Sequence, residues 1–328
     1  MNTGDSGASS SGAFIPGGLV TLGETMGLFR PHAVGSLATE SEFSLTIGGA
    51  ESNVAIGVSR LGGNSTWIGS VGADSLGDRV VRELRAEGVQ VNAAIRTAAR
   101  TGLMIKERRT PAITRVSYYR TASAGSQLFP DQLDTDVIAQ AGVLHVSGIT
   151  PALSATAAET VQRAVTMARD AGVLVSFDVN HRATLWESDI AAPVYRQLAA
   201  ASDIVFAGEE EAAMLVGAGS ASVQAHRIAG LGASQVLIKL GEHGCLALVD
   251  GKEHLVAAVR VDAVDTVGAG DAFVAGYLAE LLEGRDVPAR LHTAVRTGAF
   301  ACLGPADWES YPMRAELGLL DGGDPVSR

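Results

Sequence analysis

The chain predicts an α/β fold: a mostly parallel central sheet flanked by helices, with a small second β-sheet standing off it. Three observations carry this. From Gly18 onward, short apolar runs alternate with stretches of helical periodicity, the pattern of strands buried on both faces. A glycine-rich turn, Asp265-Thr266-Val267-Gly268-Ala269-Gly270-Asp271, follows a β-like run and opens a helix. The alternation fails once, at 102–120, where two strand-like runs follow each other with no helix between. The 328 residues can bury the core of one large domain, or of one domain with a smaller appendage.

In chain order, Gly18 to Gly23 reads as a buried strand that delivers a polar residue, Glu24, to its end. Residues 33–47 are strand-like, with Phe43, Leu45 and Ile47 alternating. Asn53, Ala55, Ile56, Val58 and Leu61 give a helix over 53–61 that closes at Gly62-Gly63. Thr66 to Val71 is a strand and Leu76 to Glu87 an amphipathic helix. Gly102 to Arg109 and Ile113 to Arg120 form a hairpin around a Thr110-Pro111 turn. Buried strands follow at Val143 to Val146, Val173 to Phe177, Asp203 to Phe206, Gln235 to Leu240 and Cys245 to Val249. Helical patterns at about 155–171, 190–201 and 209–232 lie between most of them. Leu255 to Val264 is β-like, and beyond it Phe273, Val274, Tyr277, Leu278, Leu281 and Leu282 share one helical face up to Gly284. Folds of this kind bind ligands at the carboxyl ends of their strands.

Hydrophobic residues make up 47% and charged ones 19%, as in an ordinary soluble globular chain. The net charge of −11, from 25 basic and 36 acidic residues, disfavours nucleic acid or an anionic membrane as a general partner. Residues 1–17 are rich in Ser and Gly without a basic n-region, which reads as a disordered tail rather than a signal peptide; 314–328 read as a C-terminal tail. No long apolar run occurs, so no membrane span is expected and the cytoplasm is the expected compartment. Cys245 and Cys302 lie far apart in apolar settings and read as buried, reduced thiols. No Cys/His cluster suggests a structural metal.

The chemistry concentrates at 265–271. Glycines at a helix start let the chain turn tightly and leave N–H groups uncovered. Such donors lack intrahelical partners and sit at the positive end of the helix dipole, which suits a phosphate or an oxyanion. Asp271 stands where a bound anion is expected, and a carboxylate there fits a base better than an anion ligand. The pair would hold an acceptor hydroxyl between a base and an anion hole. The stretch is not a Walker A loop, because no Gly-Lys-Ser/Thr follows; nor is it a dinucleotide fingerprint, because Phe273 takes the third glycine position. On spacing alone, a catalytic turn and an ordinary helix start both remain open.

Asp-Thr-Val-Gly-Ala-Gly-Asp-Ala-Phe (265–273) resembles the C-terminal signature of the ribokinase-like (PfkB-type) carbohydrate kinases. A second signature of that family resembles Gly48-Gly49-Ala50-Glu51-Ser52-Asn53-Val54-Ala55, leading to Leu61-Gly62-Gly63. The resemblance covers residues 18–313 as one kinase domain, with lid segments at about 33–47 and 101–120. It implies a ribokinase-like fold whose small β-sheet covers the sugar site and joins copies of the chain into a homo-oligomer. Tyr118-Tyr119-Arg120 before Thr121-Ala122-Ser123-Ala124 is similar to the 2-keto-3-deoxygluconate kinase branch. So are Phe177-Asp178-Val179-Asn180-His181-Arg182 with Leu185-Trp186, and Gly304-Pro305-Ala306-Asp307. An Arg fork suits a carboxylate, which a neutral sugar lacks.

Carried over by position, the resemblance implies that Gly49, Ala50, Asn53, Tyr118, Arg120, Arg182 and Asp307 touch the sugar acid. Asn180, Arg182, Lys239, Gly241, Gly244, Gly268 and Gly270 would line the nucleotide. Gly268, Ala269 and Gly270 would form the anion hole, and Asp271 would be the base. ATP and Mg2+ are the implied cofactors. Gly208 stands where many members carry Asn, which leaves Glu211 as the acidic residue near magnesium. Met104 stands where the branch often has Tyr, so one hydroxyl contact is missing. The implied activity is ATP-dependent phosphorylation of the primary hydroxyl of a 2-keto-3-deoxy sugar acid. Two other readings stay open: a kinase of a neutral sugar such as fructose or ribose, or of a related keto acid such as the galactonate epimer, and a sugar-binding regulator without catalysis.

Overall fold

A computed structural model describes residues 17–96, 98–110, 113–305 and 307–321. The chain runs β1 (Leu19–Leu22), β2 (Met26–Pro31), β3 (Phe43–Gly48), α1 (Ala50–Arg60), β4 (Ser65–Gly72), α2 (Ser75–Ala86) and β5 (Gln90–Arg96). It continues through β6 (Leu103–Thr110), β7 (Ile113–Tyr119), α3 (Thr135–Ala139), β8 (Val143–Ser147), α4 (Ala155–Asp170), β9 (Leu174–Asp178) and α5 (Ser188–Ala200). Then come β10 (Ile204–Gly208), α6 (Glu209–Val216), α7 (Ala221–Ala229), β11 (Gln235–Lys239), β12 (Cys245–Val249), β13 (Lys252–Val256), α8 (Ala269–Leu282) and α9 (Val287–Ala301).

The main sheet has the order β13-β12-β11-β10-β9-β8-β1-β4-β5. Its pairs are parallel except those of β12, which runs against both neighbours. β1 lies between β8 and β4, so the chain winds away from it in both directions and leaves a crevice at its carboxyl end. The second sheet, β3-β2-β6-β7, is antiparallel apart from the parallel β2–β6 pair. Helices α4 to α7 cover one face of the main sheet, through residues such as Val161, Leu198 and Ile228. Helices α1, α8 and α9 cover the other, where Phe206 meets the edges of Phe273 and Tyr277 at 6.2 and 5.7 Å. Each such aromatic pair adds about 0.5–1.5 kcal/mol beyond its buried area.

Several elements differ from the sequence expectation. Helix α8 is buried on every side from Asp271 to Glu280, not on one face, because α1 and α9 both pack against it. The helical pattern at 209–232 breaks into α6 and α7 at Gly217, whose φ of 81° ends the first piece. The β-like run from Leu255 is strand only to Val256; residues 257–264 are irregular and border a cleft. Strand β2, with its Gly and terminal Pro, is the centre of the second sheet, whereas 33–42 contains no strand. The edge strand β5 and helix α9 also lie outside the expected elements.

Residues 1–16, 322–328 and Pro111 of the expected turn lie outside the described residues. Arg314–Asp321 forms a 3-10 helix held to the domain, Arg314 pairing with Glu280 at 2.8 Å and Arg296 donating to the Leu317 carbonyl. Cys245 is buried, while Cys302 is half-buried and borders the cleft. Among the described residues no helix is long and apolar enough to cross a membrane.

Candidate active site

The turn before α8 is built from the backbone outward. Asp265 Oδ1 accepts from the Val267 N–H at 3.1 Å, which folds the chain into the helix start. Gly268 caps the helix at φ 82°, a conformation that costs glycine little, and a Cβ there would strike the Asp307 carbonyl. Its own carbonyl accepts from the Tyr311 hydroxyl at 2.7 Å. Ala269 donates to Thr266 O at 3.3 Å, a long bond.

Asp271 follows in the first turn of α8, only 9% exposed. Asn53 Nδ2, from α1, donates to Oδ2 at 2.9 Å, and Asn180 Nδ2, just past β9, to Oδ1 at 3.3 Å. Asn180 has φ 40°, a left-handed turn that Asn tolerates. Burial pushes the Asp271 carboxyl up to about 7, against the opposing pull of Asn53 and Arg182. A carboxylate with that value is divided between acid and base at neutral pH, which suits proton abstraction from a hydroxyl.

Two cavities meet at this helix start. A cleft of about 1080 Å³ has Lys239, Gly241, Gly244, Ala269 and Gly270 in its wall. A smaller cavity of about 80 Å³ is lined by Gly49, Ala50, Asn53, Gly268 and Asp271 on the body side, and by Met104, Tyr118 and Arg120 from the second sheet. The first turn of α8 is thus a shared wall, with Gly270 toward one space and Asp271 toward the other.

Charges are distributed unequally around these spaces. Lys239, at the end of β11, holds both oxygens of Asp178 at 2.8 Å. Burial pulls the Lys239 ammonium down, but Asp178, Glu211 and Asp271 outweigh it and raise the value, so the charge is kept. Arg120 turns Nε and Nη2 onto Glu24 Oε2 at 2.7 and 2.6 Å, and Ser123 donates to the other oxygen. Asp307 pairs with Lys106 at 2.6 Å, and burial raises its carboxyl despite that partner. Glu51 accepts from Ser147 and Thr150 at 2.6 Å each. Arg182 is exposed in the small cavity, donates to the His181 carbonyl at 3.1 Å, and pairs with no carboxylate of the described residues.

The model of the pfkB family carbohydrate kinases matches residues 18–312. The chain belongs to that family. This PfkB kinase is 38% identical to a 2-dehydro-3-deoxygluconokinase of Bacillus subtilis, over 91% of this chain and 93% of the relative. It is 36% identical to a 2-dehydro-3-deoxygalactonokinase of Haloferax volcanii, over 93% and 97% of the two chains. An uncharacterized sugar kinase of Pyrococcus horikoshii, solved in complex with ATP, superposes with a TM-score of 0.78 at 26% identity, over 92% and 97%. The fold is ribokinase-like.

Within the kinase, the residues expected at the sugar acid come together around the small cavity. Those expected at the nucleotide divide. Lys239, Gly241, Gly244 and Gly270 line the large cleft, whereas Arg182 and Gly268 line the small one and Asn180 bonds Asp271. Glu211 takes backbone N–H groups on both oxygens, from His181 at 2.8 Å and Gly208 at 2.7 Å. Sequence reasoning missed Lys106, the pairing of Glu24 with Arg120, and the wall formed by 258–263 with Gly298, Ala299 and Cys302. A lysine at alternate spacing in a strand is a weak signal; small residues on α9 are none.

Proposed function

We propose that this kinase transfers the γ-phosphoryl group of ATP to the primary hydroxyl of a 2-keto-3-deoxy sugar acid. The observation that carries the acid reading is Arg182, a guanidinium without a carboxylate partner among the described residues, in the cavity that Asp271 borders. A substrate carboxylate would supply that partner. The names of the two relatives above favour the same acceptor class over fructose or ribose. A non-catalytic regulator has no need of a carboxylate held by two carboxamides at a helix start that divides two cavities.

In this reading ATP lies in the large cleft with its phosphates at the start of α8, close to Lys239. The acceptor occupies the small cavity. Asp271 takes the proton of the attacking hydroxyl, and the N–H groups of 268–270 receive the charge on the transferring group. Asn53 and Asn180 hold the carboxylate in place, and Arg120, fixed by Glu24, forms one side of the cavity. Magnesium fits here as an ion carried by phosphates rather than by a cage of side chains. Among the described residues no three His, Cys, Asp or Glu form a group able to hold a metal, and Glu211, its oxygens already bonded to backbone, reaches such an ion best through water. When bound, such an ion would neutralise phosphate charge. Tyr119 and Phe43 on the second sheet, 63% and 36% exposed, support a homo-oligomer through that sheet.

The test is kcat/KM for 2-keto-3-deoxygluconate and for fructose. Arg182→Ala should lose about 2–5 kcal/mol of transition-state binding for the acid, and much less for fructose, whose loss comes only from the raised Asp271 carboxyl. Arg120→Ala should impair both, because Glu24 is then left buried and unpaired. A wild type that prefers fructose refutes the acid assignment.

A further inference from the structure

We propose that Lys106 is a positioning residue that couples the second sheet to the anion-hole turn, so that 265–268 keeps its shape only while β6 is seated. This rests on the kinase reading above, though not on the identity of the acceptor. Alternate residues of β6 point to one side, and Met104, Lys106 and Arg108 are the ones that face the body. Met104 lines the acceptor cavity. The Lys106 side chain is 2% exposed. Arg108 Nη2 donates to the Val264 carbonyl at 3.4 Å.

The Lys106 ammonium lies 2.6 Å from Asp307 Oδ1 and 3.4 Å from Asp265 Oδ2. The two carboxylates belong to separate segments. Asp265 uses its other oxygen to receive Val267 N–H, one residue before Gly268. Asp307 presents the carbonyl that closes over Gly268 from the opposite side. One ammonium therefore joins both segments that shape the helix start, and it comes from the sheet that also covers the acceptor.

Removing it would strand two buried carboxylates beside the place where phosphate oxygens must sit. A buried carboxylate without a partner is costly, and the turn would relax to find one. An acceptor in the small cavity touches Met104, Tyr118 and Arg120, residues of β6, β7 and the position that follows β7. Its contacts favour the seated sheet, and the seated sheet supplies Lys106. The anion hole is then complete when an acceptor is present, which limits transfer to water.

The test uses the full chain and whichever acceptor the wild type turns over fastest. Lys106→Met should lower kcat about 10²-fold, the cost of a small misplacement at the reacting atoms, while the KM for ATP changes little. Lys106→Arg should restore most of the rate. Asp265→Asn should lower kcat as well, and the double variant should lose no more than Lys106→Met alone, because that variant already breaks the Lys106–Asp265 contact together with the one to Asp307. Wild-type kcat in Lys106→Met, even with a lowered Tm, overturns the proposal, as do losses that multiply in the double variant. Should Lys106→Met not fold, Asp265→Asn decides alone: an unchanged kcat overturns the coupling. A wild type active on a neutral sugar refutes the acceptor assignment and leaves these ratios readable.

Discussion

Asp271 is buried, yet it lines the small cavity in which the proposed acceptor hydroxyl would be deprotonated. Asp271→Asn keeps the shape but removes the proposed base, and its amide NH2 must turn one of the two carboxamide donors, Asn53 or Asn180, aside. Its kcat should fall about 10²–10⁴-fold, with ATP and acceptor still binding in a calorimetric titration. The pH dependence has a definite sign. With Asp271 as the proposed base, activity needs the ionised carboxylate, so kcat/KM should fall on the acid side of about 7, and Arg182→Ala should move that limb upward, since Arg182 opposes the effect of burial. Because the folded value lies above the ordinary 3.8, the native state holds the extra proton between those values. Stability therefore declines as pH rises from about 4 to 7, and the Asn variant should lose that slope in urea titrations.

Helix α8 shows how an element can be chosen for its end rather than for its face. Its apolar residues bury it between α1 and α9, which fixes the N-terminus as a wall between two cavities. The turn into it depends on Gly268. Gly268→Ala must adopt a left-handed conformation that costs an L-residue about 1–2 kcal/mol, and must also push back the Asp307 carbonyl. The variant should lose kcat more than stability, since the displaced groups are those that shape the proposed anion hole. A wild-type rate in single-turnover measurements would remove the turn from the mechanism.

Across the whole molecule, the C-terminal segment ties helices that are distant in sequence. Arg314 reaches Glu280 on α8 and the Leu61 carbonyl after α1, while Arg296 on α9 reaches the Leu317 carbonyl. Ending the chain at Met313 leaves Glu280 with Thr293 and Arg285, strips the Leu61 carbonyl of Arg314, and takes Leu317 and Asp321 from Arg296, which keeps only His292. Each buried polar group left without a partner costs about 1–3 kcal/mol, so the truncated chain should melt several degrees lower in calorimetry. An unchanged Tm would mean that the segment adds nothing to the body.

Sequence alone determined the alternating strands and helices, the standing-off hairpin at 102–120, and a set of residues that come together around the small cavity. These are local signals: apolar period, glycines at a helix start, and motif order along the chain. The contiguous stretch 265–271 was legible for that reason. The tertiary structure decided how the charges pair. Arg120 and Arg182 look alike in sequence, yet Glu24 holds the first and no described carboxylate holds the second. Lys106 reads as an ordinary strand residue until Asp265 and Asp307, 159 and about 200 positions away, close around it. Strand β2 needed β3 and β6 as partners on both sides to offset its Gly and Pro, and α9 needed the far face of α8. Pairing partners and burial are set by contacts between distant segments, and periodicity along one segment carries no record of them.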